Sequence, residues 1–143
     1  TLSKAYGLAG IRLGICYASA EIIAILNKIK PPYNVNELTQ KRALERVLDN
    51  TSVQNEITAI LKERDALSKV LLEVYFVEKV YPSEANFILA KVDDANKRYE
   101  QLIKRGIVVR NRSTQALCEN TLRFTVGTSE ENQKLISALK ELV

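Results

Sequence analysis

The chain has 143 residues, 46% of them apolar and 27% charged, with a net charge of +4. That length suits one domain, or one domain and part of another, and can bury about 70% of its unfolded surface without covalent staples. The composition excludes collagen-like, low-complexity and intrinsically disordered classes. The absence of His and the presence of only Cys16 and Cys118 exclude a disulfide scaffold and the usual zinc ligand sets, and fit a reducing compartment.

In chain order, residues 11–18 are apolar after a Gly-rich entry and read as a strand. Glu21 to Lys30 carries Ile22, Ile23, Ile25, Leu26 and Ile29, a short helix stopped by Pro31-Pro32. A second helix starts at Asn36-Glu37 and runs to about Asp49. Asn50-Thr51-Ser52 breaks it and caps a third. Apolar residues three or four apart, from Val53 through Leu67 to Val74, carry that third helix to about Val77.

The period then changes. Asn86–Val92 reads as a strand, and Asp93–Arg105 as a helix with Asp at its start and Lys-Arg at its end, stopped by Gly106. Residues 107–110 and 122–126 read as strands. Thr128 or Ser129 caps a final helix whose stripe is Leu135, Ile136, Leu139, Leu142 and Val143. The expected architecture is α/β, with helices on one face of a short sheet. Residues 1–33 hold too little to close a core, and 34–143 form the second, small domain. No run of about 18 apolar residues exists, so no membrane-spanning helix is expected.

There is no Met, even at position 1, and the first residues lack the features of a signal peptide. This points to a piece of a longer protein or to a chain trimmed of its Met. The positive charge is concentrated. Residues 1–35 carry Lys4, Arg12, Lys28 and Lys30 against Glu21, and residues 104–123 carry Lys104, Arg105, Arg110, Arg112 and Arg123 against Glu119. Neither segment has the interleaved aromatic residues of a nucleic-acid platform, so small anions are the expected partners.

Chemistry concentrates in Ser3-Lys4-Ala5-Tyr6-Gly7-Leu8-Ala9-Gly10-Ile11-Arg12-Leu13-Gly14. Glycines permit tight turns and close backbone approach. The Ser3 hydroxyl, the Arg12 guanidinium and backbone N–H groups suit a phosphate, and the Lys4 amine can condense with an aldehyde. A turn leading into a buried strand would account for the same residues without a ligand.

This run resembles the lysine segment of fold-type I, class I/II pyridoxal-phosphate-dependent aminotransferases, and within them the histidinol-phosphate aminotransferase family. Pro32–Asn36, Pro82–Phe87, Gly106–Arg110 and Leu122–Thr128 resemble that family too, in its order and approximate spacing. The resemblance implies that Lys4 holds pyridoxal 5′-phosphate and moves the proton during transamination. It implies that Ser3 and Arg12 bind the cofactor phosphate. Arg123 would grip the anionic end of the substrate and Arg110 would serve the substrate phosphate. The implied substrates are histidinol phosphate and glutamate or 2-oxoglutarate, and the implied enzyme is a cytoplasmic homodimer using neither nucleic acid, membrane nor metal. The family's Asp against the pyridine nitrogen has no match here, so the chain reads as a C-terminal portion that is inactive alone. A threonine-phosphate decarboxylase, an aromatic aminotransferase or a non-catalytic module are the alternatives.

Overall fold

A computed structural model describes residues 2–142, so Val143 of the expected final stripe lies outside the described residues. The chain divides into two compact units, Thr1–Glu56 and Ile57–Val143.

The first unit holds helices α1 (Ala20–Ile29) and α2 (Glu37–Leu48) and the start of α3 (Asn50–Glu73). Each helix entry is capped by a side-chain oxygen. Ser19 accepts from the Ile22 N–H, and Asn36 Oδ1 accepts from the Thr39 N–H at 2.9 Å. The expected Asn50 cap belongs instead to Asp49, whose Oδ1 accepts from the Ser52 N–H at 3.2 Å. A small core of Leu2, Leu8 and Ala43 forms under partly buried Tyr6, Ile11 and Leu13.

The expected strand over 11–18 is not formed. Ala9–Ile11 is a turn of 3-10 helix, and the residues from Leu13 to Ser19 have no regular structure. Arg12 has a left-handed backbone (φ 54°), incompatible with a strand. Beyond it the backbone finds no ladder partner among the described residues, and Ile15 and Tyr17 stay exposed.

In the second unit α3 ends at Glu73, four residues before the expected stop, and β1 (Val77–Val80) follows, overlapping the expected helix only at Val77 and otherwise lying where no element was expected. Val74 is buried as the helical stripe requires, but Tyr75 and Phe76 form a turn closed by the Val77 N–H donating to Val74 O at 2.9 Å, and only Val77 of that apolar run enters the strand. β2 (Phe87–Val92), α4 (Ala95–Lys104), β3 (Arg110–Asn111), β4 (Thr121–Thr125) and α5 (Ser129–Lys140) complete the unit. Of the expected strand 107–110 only Arg110 pairs. The Gly106 N–H donates to Ile103 O and the Ile107 N–H to Leu102 O, closing α4 in a Schellman motif around Gly106 (φ 75°) and delaying the strand.

The sheet order is β1-β2-β4-β3, all antiparallel. Alternation gives it two unlike faces. Ile88, Ala90, Val92, Leu122 and Phe124 are fully buried in a core with Leu67 and Leu71 of α3, Leu102 of α4 and Leu135 and Leu139 of α5. Phe87, Leu89, Lys91, Arg123 and Arg110 occupy the other face by register.

Buried Arg98 on α4 forms a two-bond pair with Asp93 (2.9 and 2.7 Å) while lying over the Phe76 ring at 4.4 Å. Among the described residues no helix is long and apolar enough to cross a membrane.

Candidate active site

In the first unit the Lys4 segment is a braced turn. The Gly7 N–H donates to Lys4 O at 2.8 Å and the Leu8 N–H to Leu2 O at 2.9 Å, with Gly7 at φ 67° supplying the left-handed step. Leu2 and Leu8 are buried on either side of the turn, which leaves Lys4 exposed and Ser3 half-buried at its apex. Arg46 of α2 donates through Nε to Tyr6 O at 2.9 Å and its other end pairs with Glu56. Arg46 is a positioning residue that local sequence patterns did not reveal, because it acts on a turn 40 residues away.

Arg12 folds its guanidinium back onto Ala9 O at 2.9 Å. A non-glycine residue in the left-handed region is strained, and such strain collects at functional sites. A polar cleft of about 260 Å³ adjoins it, lined by Asn34, Asn36 and Thr39 among others. This part of the chain thus offers a primary amine on a fixed turn, a neighbouring hydroxyl and a guanidinium. Residues 1–20 contain no carboxylate to compete for them. The donor set fits a ligand that carries both an aldehyde and a phosphate.

In the second unit β4 places Arg123 between Leu89 of β2 and Arg110 of β3. The Arg123 guanidinium stacks 4.9 Å from the Phe87 ring. Its Nε is buried with no hydrogen-bond partner among the described residues. Burial first, then repulsion from Arg112 and Arg110, push the Arg123 pKa below that of an ordinary arginine. Arg110 is exposed and Arg112 half-buried. The ion pairs of the described residues leave out all three, while Arg105 of the same basic segment turns away to Glu141. A partly desolvated cation beside other cations is the kind of perturbed group that marks a candidate functional site.

The family model of aminotransferase class I and II matches residues 1–139. The chain belongs to that family. Among aminotransferase relatives, the histidinol-phosphate aminotransferase of Flavobacterium johnsoniae is 72% identical over 142 residues, covering 99% of this chain and 41% of that protein. The corresponding protein of Christiangramia forsetii is 63% identical over the same span. The solved histidinol-phosphate aminotransferase of Clostridium acetobutylicum superimposes with a TM-score of 0.87 at 28% identity, over 97% of this chain and 43% of that one. The chain thus spans about 41% of the length of the curated relatives it matches, and its fold is that of the corresponding part of a fold-type I aminotransferase.

Proposed function

We propose that this chain is part of a pyridoxal-phosphate-dependent transaminase that exchanges the amino group of histidinol phosphate with 2-oxoglutarate, in histidine biosynthesis, as a cytoplasmic homodimer. The reading is supported by the 72% identity to a protein of that name across nearly the whole chain. The observation that carries the substrate class is half-buried Arg123, whose buried Nε has no hydrogen-bond partner among the described residues, facing Arg110 across the strand pair. In this reading residues 1–33 belong to the large cofactor-binding domain and 34–143 form the small domain.

Bound pyridoxal phosphate would supply an aldehyde to accept the amino group and a ring to spread the electrons of the broken Cα–H bond. Lys4 Nζ would hold the aldehyde carbon and then move the proton at the substrate Cα, a task suited to an amine whose pKa shifts readily. The Ser3 hydroxyl and the Arg12 guanidinium would hold the cofactor phosphate. Arg123 would bind the anionic end of both substrates, because a planar guanidinium grips a carboxylate or a phosphate through two bonds, and Arg110 would add a contact for the phosphate.

The test is steady-state kinetics of the full-length, cofactor-loaded protein. Lys4→Ala is expected to reduce turnover to background. Arg12→Ala should weaken cofactor binding about 10- to 150-fold, the worth of a charge-assisted pair, without changing substrate preference. Arg123→Ala should raise KM for histidinol phosphate and for glutamate alike. Near-normal turnover by Lys4→Ala would overturn the assignment, and release of CO2 from a phosphorylated amino acid would replace transamination by decarboxylation.

A further inference from the structure

The β3–β4 ladder continues one residue beyond its last strand pair. Arg110 lies opposite Arg123 and Asn111 opposite Leu122, and the Arg112 N–H donates to Thr121 O at 2.9 Å. Two-residue alternation therefore returns Arg112 to the face that carries Arg110 and Arg123. Arg112 and Arg123 are diagonal neighbours across the two strands, a separation of about 7–8 Å at Cα that arginine side chains readily span. Repulsion from Arg112 acts on Arg123 more strongly than repulsion from Arg110.

By register the rest of that face is Phe87, Leu89, Thr121, Thr125, Lys79 and Lys91. Phe87 and Leu89 form its floor, and Lys91 is engaged with Glu78 at 3.2 Å. Like charges directly across a strand pair destabilise it, yet three guanidinium groups converge here with no carboxylate between them. One arginine suffices to grip a carboxylate. Three suit an anion with more oxygens and more charge.

We infer that Arg112 is a specificity-determining residue, completing with Arg110 and Arg123 a three-guanidinium cradle on the open sheet face that favours a phosphate dianion over a single carboxylate. This rests on the transaminase reading for the identity of the substrates, whereas the anion preference itself rests on the strand register and the charge arrangement. The Arg112 side chain makes no bond that the fold requires, since its role in the ladder is played by its backbone.

The test uses full-length protein loaded with cofactor, so that the cofactor's own phosphate site is filled. Binding of inorganic phosphate and of acetate is measured by calorimetry for the parent, Arg112→Gln and Arg112→Glu. KM and kcat are measured for histidinol phosphate and for glutamate. Arg112→Gln should weaken phosphate about 10-fold or more, raise KM for histidinol phosphate by a similar factor, and leave acetate affinity, KM for glutamate and kcat within about twofold. Arg112→Glu should deepen the phosphate loss, as an electrostatic role demands. Unchanged phosphate binding in Arg112→Gln, equal losses for phosphate and acetate, or equal effects of Gln and Glu would overturn the inference. If the parent binds phosphate and Arg112→Gln loses it, but histidinol phosphate is not turned over, the cradle stands and the transaminase reading falls.

Discussion

Arg98 is the buried charge that the second unit depends on. Its pair with Asp93 holds the Asp93 carboxyl below the ordinary value of 3.8, chiefly through the guanidinium hydrogen bonds. With a folded pKa lower than the unfolded one, the unfolded chain binds more protons in the interval between them. The pair's contribution is therefore complete above the unfolded value and is lost as pH falls through the folded one. Asp93 is partly exposed, so solvent screens the pair and keeps the contribution modest. Acid titration followed by circular dichroism should show Asp93→Asn already weakened at neutral pH and less sensitive to acid below about pH 4 than the parent. An identical acid limb in both proteins would show that Asp93 titrates without consequence. Gly127 is the other decisive residue. A Cβ there would lie 2.9 Å from Glu131 Cβ and 2.6 Å from its Oε2. Gly127→Ala should cost about 1–3 kcal/mol by displacing that side chain, read as a lower midpoint in denaturant.

At the scale of elements, Glu131 matters because it closes the capping box of α5, accepting from the Thr128 N–H at 2.8 Å while Thr128 Oγ1 accepts from the Glu131 N–H at 3.3 Å. Thr128→Ala should cost about 1 kcal/mol, and the Gly127→Ala loss should shrink in its presence, because both changes disable one motif. Caps of this kind were legible in the sequence: Asn36, Gly106 and Thr128 all act where local spacing placed them. β2, α4 and β4 were legible for the same reason, since each buries one face at its own period. What failed was what depends on partners. Residues 11–18 have the composition of a strand but no neighbour to pair with and a left-handed Arg12 at their head. β1 was hidden because Val74 prolongs the helical stripe up to its start and Glu78-Lys79 breaks apolar alternation within it, so only the ladder with β2 marks it as a strand. At the candidate site the Lys4 segment and Arg123 could be read from their motifs. Arg46 could not, because it reaches its turn from a distant helix.

At the scale of the molecule, the two units are held very differently. The second unit has a continuous core running through the sheet, α3, α4 and α5. In the first, α1 buries none of its residues, and Ile22, Ile25, Leu26 and Ile29 all remain exposed. Local stability follows buried apolar contact. Hydrogen exchange on the 143-residue chain should find the slowest amides in β2 and β4 and near-unprotected amides in α1. Slow exchange throughout α1 in a monodisperse monomer would contradict this. The same polypeptide alone should give no measurable transamination with added cofactor, spanning as it does 41% of its curated relatives.

The facing arginines of β3 and β4 also have a consequence for ionic strength. Added electrolyte ordinarily loosens a protein surface, because it screens attractive pairs. That holds at one edge of this sheet, where Lys91 of β2 meets Glu78 of β1. At the other edge the same screening relieves repulsion between Arg110, Arg112 and Arg123. Potassium chloride should therefore slow exchange of the Arg112 amide while slightly hastening that of the β1–β2 ladder. The two borders of one four-stranded sheet would respond to electrolyte in opposite directions.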